Sequence, residues 1–132
     1  MGRKKISVEQ LREEVDKILK DYSNDVDEAL DKASVTYAKI TTRELSSASP
    51  IAKDTPKPGK YSKGWGYKKH KSKKSVGATV WNISDYRLTH LLEHGHALRQ
   101  GGRSPAIVHI KPIEENITKE FESEVKDRLQ NL

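Results

Sequence analysis

The string His90-Leu91-Leu92-Glu93-His94 holds two histidines four positions apart with a glutamate between them. On a helix such histidines share a face, can bind Zn2+ through neutral imidazoles, and leave the glutamate to orient a metal-bound water for hydrolysis. His96 and His109 are further imidazoles. Three features weigh against metal catalysis. A zinc hydrolase needs another ligand and a cleft built by a larger scaffold, and 38 residues follow His94. Gly95 ends the expected helix directly after His94, where such sites continue. Leu91 and Leu92 give that helix its buried side, so His90 and Glu93 read as satisfied polar neighbours. No metal site is assigned, and His90 and His94 stand only as an alternative that would make the protein a zinc hydrolase.

A second constellation is basic. Residues 53–74 contain nine lysines and one aspartate, a local charge of +8, while the other 110 residues sum to -2. Tyr61, Trp65 and Tyr67 are interleaved with those lysines, a mixture that can contact phosphates and stack on bases. Arginine, the usual reader of base edges, is missing from the segment. A solvated basic loop, or a loop docked on an acidic protein surface such as a neighbouring copy's helices, explains the lysines equally well. Lys57, Lys60, Lys63, Lys68, Lys69 and Lys71, with Arg103, are the candidate interface or DNA-channel residues.

Other chemistries find no residues. Cysteine is absent, which excludes disulfides, thiolate metal sites and cysteine nucleophiles. Gly59, Gly64 and Gly66 do not spell a phosphate-binding loop, no serine sits in a nucleophile elbow, and the carboxylates are expected on helix surfaces with no inward pair. No catalytic residue and no cofactor is assigned.

The elements that position these residues follow from periodicity. Ser7 and Gln10 form a capping box. Apolar residues then recur three or four apart at Val8, Leu11, Val15, Ile18, Tyr22, Val26, Leu30, Ala33, Tyr37 and Ile40, which predicts one helix over 7–45. Such a helix is about 55 Å long, more than the width of a compact domain of this size. Residues 8–34 hold nine acids against four bases, so the stripe belongs either to a core helix with a solvated acidic face or to one that packs on another subunit. Residues 46–75 form a basic loop broken by Pro50, Pro56, Pro58 and several glycines, leading into a strand at 60–69. A second strand is expected at 76–83, a short helix at 86–94, a third strand at 106–110, and a helix from Pro112 whose Ile113, Ile117, Phe121, Val125 and Leu129 make one narrow stripe. The fold class is α+β: a long N-terminal helix, a small antiparallel β-sheet, a short helix and a C-terminal helix, in one domain over 1–132. Leu, Ile, Val and Phe number 28 of 132 residues, about 21%, which is marginal for a self-sufficient core. No apolar run reaches bilayer-spanning length, and the basic start at Arg3, Lys4 and Lys5 leads into no signal-like stretch, so a soluble chain without membrane contact is expected.

Several strings in order resemble a known family. Thr55-Pro56-Lys57-Pro58-Gly59-Lys60-Tyr61-Ser62-Lys63-Gly64-Trp65 is followed by Tyr86-Arg87-Leu88-Thr89-His90-Leu91-Leu92-Glu93-His94-Gly95-His96-Ala97, then Gly101-Gly102-Arg103 and His109-Ile110-Lys111-Pro112. Over roughly 50–132, and in its long first helix, the chain resembles the gene-product-10-like family of tailed-phage proteins, small neck, minor capsid or tail components. The family pattern commonly reads Thr-Gly-Lys-Tyr, whereas Pro58 precedes Gly59 here, and His94 lies outside the pattern. The resemblance, rather than residue spacing, implies a non-enzyme, a structural virion protein of a phage or prophage acting at head–tail joining or tail completion as a subunit of a homo-oligomeric ring. Its implied partners are copies of itself and other neck, connector or tail-tube proteins, with nonspecific contact to passing DNA. Its implied location is the virion, after assembly in the host cytoplasm. The alternative from composition is a nucleic-acid-binding accessory protein that uses 53–74. In the ring reading, Tyr61, Trp65, Trp81, Leu88, Leu91 and Leu92 hold hairpin and short helix together, and Gly95, Gly101 and Gly102 shape the connecting loop.

Overall fold

The structure, a computed structural model, describes residues 7–51, 56–72 and 75–132. Helix α1 runs from Val8 to Ala48, 41 residues or about 60 Å. The capping box forms as expected: Ser7 Oγ accepts the Gln10 amide at 3.2 Å and Gln10 Oε1 accepts the Ser7 amide at 3.0 Å. No glycine or proline interrupts the helix. It stops at Ser49, whose extended backbone (φ -71°, ψ 142°) is what a residue preceding proline adopts, because the Pro50 ring disfavours the helical conformation there.

The rest of the chain gathers on the C-terminal part of α1. A one-turn helix α2 (Lys60–Lys63) leads into strands β1 (Trp65–Lys71) and β2 (Val76–Asn82), which pair antiparallel from Trp65↔Asn82 to Lys71↔Val76. The hairpin is closed by the Ser72 amide, which donates to the Ser75 carbonyl at 2.8 Å. Helices α3 (Tyr86–His94) and α4 (Lys111–Gln130) follow. The hairpin and α4 both lie against α1. Small buried residues, Ala33, Ser34 and Ala38, mark this part of α1, and the Tyr37 and Phe121 rings meet edge to face at 5.9 Å between α1 and α4. The core is small: Leu45, Tyr61 and Trp65 are buried, with Val80, Leu92, Ile110 and Ile113 packed against them.

This is the expected α+β arrangement, with two corrections to its strands. The strand expected over 60–69 begins only at Trp65, because Gly59 adopts a left-handed conformation (φ 80°) that turns the chain into α2. Tyr61 and Trp65 are four apart, a spacing that puts side chains on one face of a helix and of a strand alike, so alternation cannot tell the two apart. The third strand expected at 106–110 does not form. The Ile107 amide donates instead to the Leu92 carbonyl at 2.7 Å, and the His109 and Ile110 amides donate to the Glu93 carboxylate. Outside β1 and β2, the one bridge found among the described residues is Ala97↔Arg103.

The helix expected at 86–94 stops at Gly95 (φ 73°, ψ 170°), in a backbone region that is essentially glycine's own. Leu88 and Leu91, assigned above to hold this helix to the hairpin, are 42% and 39% exposed, and Leu92 makes the core contact instead. No helix among the described residues is long and apolar enough to cross a membrane.

Candidate interaction surfaces

The most densely bonded polar group is Glu93. It is buried, and its Oε1 accepts the backbone amides of His109 at 2.9 Å and Ile110 at 3.0 Å while Oε2 accepts that of Lys111 at 2.9 Å. These amides open α4, which has Pro112 at its start and no capping side chain of its own. Glu93 therefore supplies from α3 the anion that a helix N-terminus attracts. Burial pushes its carboxyl pKa up, but the three amides, with the His109 ring beside it, outweigh burial and hold it below the ordinary carboxylate value.

His109 extends the network. Its Nδ1 faces two acceptors, the Ile107 carbonyl at 2.7 Å and Glu93 Oε1 at 3.1 Å, so the ring proton belongs on Nδ1. Nε2 is then left to accept the Tyr61 hydroxyl at 2.8 Å. Burial raises the Tyr61 phenol pKa, and the charges of Glu93 and Asp85 add to that. The expectation that the carboxylates stay on helix surfaces is thus wrong for Glu93, whereas its reading as a satisfied polar neighbour agrees with these bonds. A signal was present in the sequence: no Ser, Thr, Asp or Asn directly precedes Pro112, so the amides of that helix had to be satisfied from elsewhere.

The His-x-x-Glu-His residues divide between two environments. The His90 and His94 rings lie side by side with centroids 4.7 Å apart, in an open cleft between α3 and α4 that also exposes Lys111 and Glu115. Glu93 is occupied with the amides of α4. His96 Nδ1 lies 2.9 Å from Ser104 Oγ in the next loop. Among the described residues no group of three or more His, Cys, Asp or Glu is placed to hold a metal ion.

The candidate basic residues are not gathered on one face. Lys69 pairs with Asp31 of α1 at 3.1 Å, and Lys60 with Asp85 at 3.4 Å. Arg103 reaches the Gly95 carbonyl at 3.4 Å in a separate loop. Along β1, Lys68 alternates in face with Lys69 and Lys71, and β1 pairs only with β2 among the described residues. Lysines on such an edge strand discourage pairing with a stray strand, a role that needs no ligand. Lys53, Lys73 and Lys74 lie outside the described residues.

Lys57 and Lys60 do come together, at the rim of a cleft of about 590 Å3 next to the C-terminal end of α1. Its walls are mostly apolar, with Pro50, Ile51, Pro56, Leu88, Leu92 and Ile107 around Tyr61. At the other end of α1 the apolar stripe is uncovered. Val8 is 80% exposed, Ile18 64% and Tyr22 56%, whereas Ala33 and Leu45 on the inner part of the helix are buried. Comparison of the chain with protein-family models, characterised proteins and solved structures finds no match.

Proposed function

We propose that this chain is a structural subunit of a tailed-phage neck or tail-completion ring. The single observation that carries the reading is the long helix: its inner half is packed by its own chain, while its outer half presents an apolar stripe to solvent. A chain whose Leu, Ile, Val and Phe content is about 21% gains little by leaving six large apolar side chains of one helix wet unless another surface covers them. The ordered strings over roughly 50–132 that resemble the gene-product-10-like family support the same identity. A ring subunit needs lateral surfaces and completes its burial on assembly.

In this reading the protein works by fit, not catalysis. Its partners are copies of itself and adjoining connector or tail-tube proteins. The dispersal of the lysines over separate elements fits diffuse, nonspecific contact with passing DNA better than a single DNA-reading face. Deleting the gene from a phage that carries it should yield separated heads and tails with normal gene expression. Intact, infectious virions from the deletion would overturn the joining role.

A further inference from the structure

We infer that residues 8–24 of α1 dock in the apolar cleft of a second copy of this chain, making a head-to-tail contact between an arm and a groove. The arm's stripe is Val8, Leu11, Val15, Ile18 and Tyr22, spaced alternately three and four apart, and every one of these side chains is between 45% and 80% exposed. The same stripe continues inward to Ala33, Tyr37 and Leu45, where α4, the hairpin and α2 cover it. One helix face is thus built throughout as a packing face and covered over half its length.

The arm cannot reach the cleft of its own chain. Pro50 and Ile51, which follow α1 directly, form part of the cleft wall, so arm and cleft sit at opposite ends of a 41-residue helix with no glycine or proline to bend it. Any contact between them is therefore intermolecular.

Their chemistry matches. The cleft offers apolar walls, Ile51, Leu88, Leu92 and Ile107, and three charged residues, Lys57, Lys60 and Asp85. Lys60 and Asp85 pair at 3.4 Å, so the cleft carries a net charge of +1 centred on Lys57. The arm offers a stripe edged on one side by Glu14 and Asp21, a heptad apart, and on the other by Arg12 and Leu19. Residues 8–24 carry five acids against three bases. An amphipathic helix laid in an apolar groove, its acidic edge towards a lysine, is a familiar mode of helix recognition. Pairing of two arms suits the charges less well: in a parallel pair Glu14 and Asp21 would lie opposite Leu19 and Val26 and form no ion pair. Because arm and cleft are different surfaces, the contact is heterologous and repeats from copy to copy until a ring closes. It deepens the ring-subunit reading and rests on it for its setting.

The test uses the full chain and two doubly substituted variants, V15D/I18D in the arm and L88D/I107D in the cleft, all at side chains already at least 42% exposed. Circular dichroism and thermal unfolding check that each variant keeps the fold. Analytical ultracentrifugation of the wild-type chain should show association beyond a dimer. Each variant alone should be monomeric, and a 1:1 mixture should stop at a heterodimer, since it retains one good arm and one good cleft. A surface variant that spares every apolar wall and the Lys60–Asp85 pair, K57E, should weaken assembly several-fold at low salt and be rescued by a partner carrying E14K/D21K. Undiminished self-association of L88D/I107D, or a mixture that stays monomeric, overturns the arm-in-cleft contact and leaves the ring reading standing. A wild-type chain that stays monomeric up to its solubility limit overturns both.

Discussion

Replacing Glu93 by glutamine keeps the side chain's shape and removes its charge from the point where three amides converge. Glutamine can present its carbonyl oxygen to the His109 and Ile110 amides, held at 2.9 and 3.0 Å in the wild-type chain. Its NH2 group then faces the Lys111 amide, now 2.9 Å from Oε2, and a donor meets a donor. One amide is orphaned and two bonds change from charge-assisted to neutral. With about 2 kcal/mol for each charge-assisted bond and about 1 kcal/mol for each neutral one, the loss is about 4 kcal/mol. That is comparable to breaking a buried ion pair by removing one partner, and a large fraction of the roughly 5–15 kcal/mol that holds a domain folded.

Urea unfolding followed by the fluorescence of Trp65 and Trp81 measures it, as a lower midpoint with an unchanged slope. The pH dependence carries a second signature. Glu93 has a folded pKa below its ordinary value of 4.5, so its contribution is fully present above that value and is lost as pH falls through the folded pKa. The stability gap between wild type and Glu93→Gln should therefore be constant near neutrality and close as the pH drops below about 4.5. A gap under about 1 kcal/mol at pH 7, or one that stays open through the acid range, refutes the capping role.

Ser49→Ala removes the acceptor that Trp65 Nε1 meets at 2.7 Å and leaves a buried indole N–H unpaired, which should cost about 1–3 kcal/mol in the same urea titration. Gly95→Ala should cost more than about 3 kcal/mol, because its Cβ would lie 2.5 Å from the Ser104 carbonyl oxygen in a backbone region that disfavours L side chains. Gly101→Ala, at φ 94° with nothing within 4 Å of the new Cβ, should cost only about 1–2 kcal/mol; equal losses in calorimetry would show that the close approach at Gly95 is unimportant. Lys69→Ala removes a half-exposed ion pair to Asp31 and should change stability by less than about 1 kcal/mol, a difference that shrinks further as salt is added.

The helices were legible because their signals are local. Ser7 and Gln10 mark one start, Pro112 another, Gly95 a stop, and the spacing of Val8 through Tyr37 needs nothing beyond the chain's own period. The hairpin was legible in its second strand, where Val76–Asn82 agrees with the expected 76–83 to within a residue. The candidate site was legible only in part. The lysines were found from composition, but Lys57 and Lys60 share a cleft rim whereas Lys68, Lys69, Lys71 and Arg103 go elsewhere, and composition holds no record of that distribution.

By itself the sequence determined an α+β chain with segregated charge and an apolar stripe longer than a compact body can cover. Capping residues, glycines and helical periods act within a few positions, and the opposing charge of the two segments is plain addition. The tertiary structure alone decided which half of that stripe stays wet, that Tyr61 turns inward from a helix, and that Glu93 caps a helix beginning 18 residues later. Each of these depends on groups far apart in the chain. A four-residue spacing serves helix and strand equally, and an extended segment with free amides satisfies them on the nearest acceptor, which here is a buried carboxylate and not a third strand.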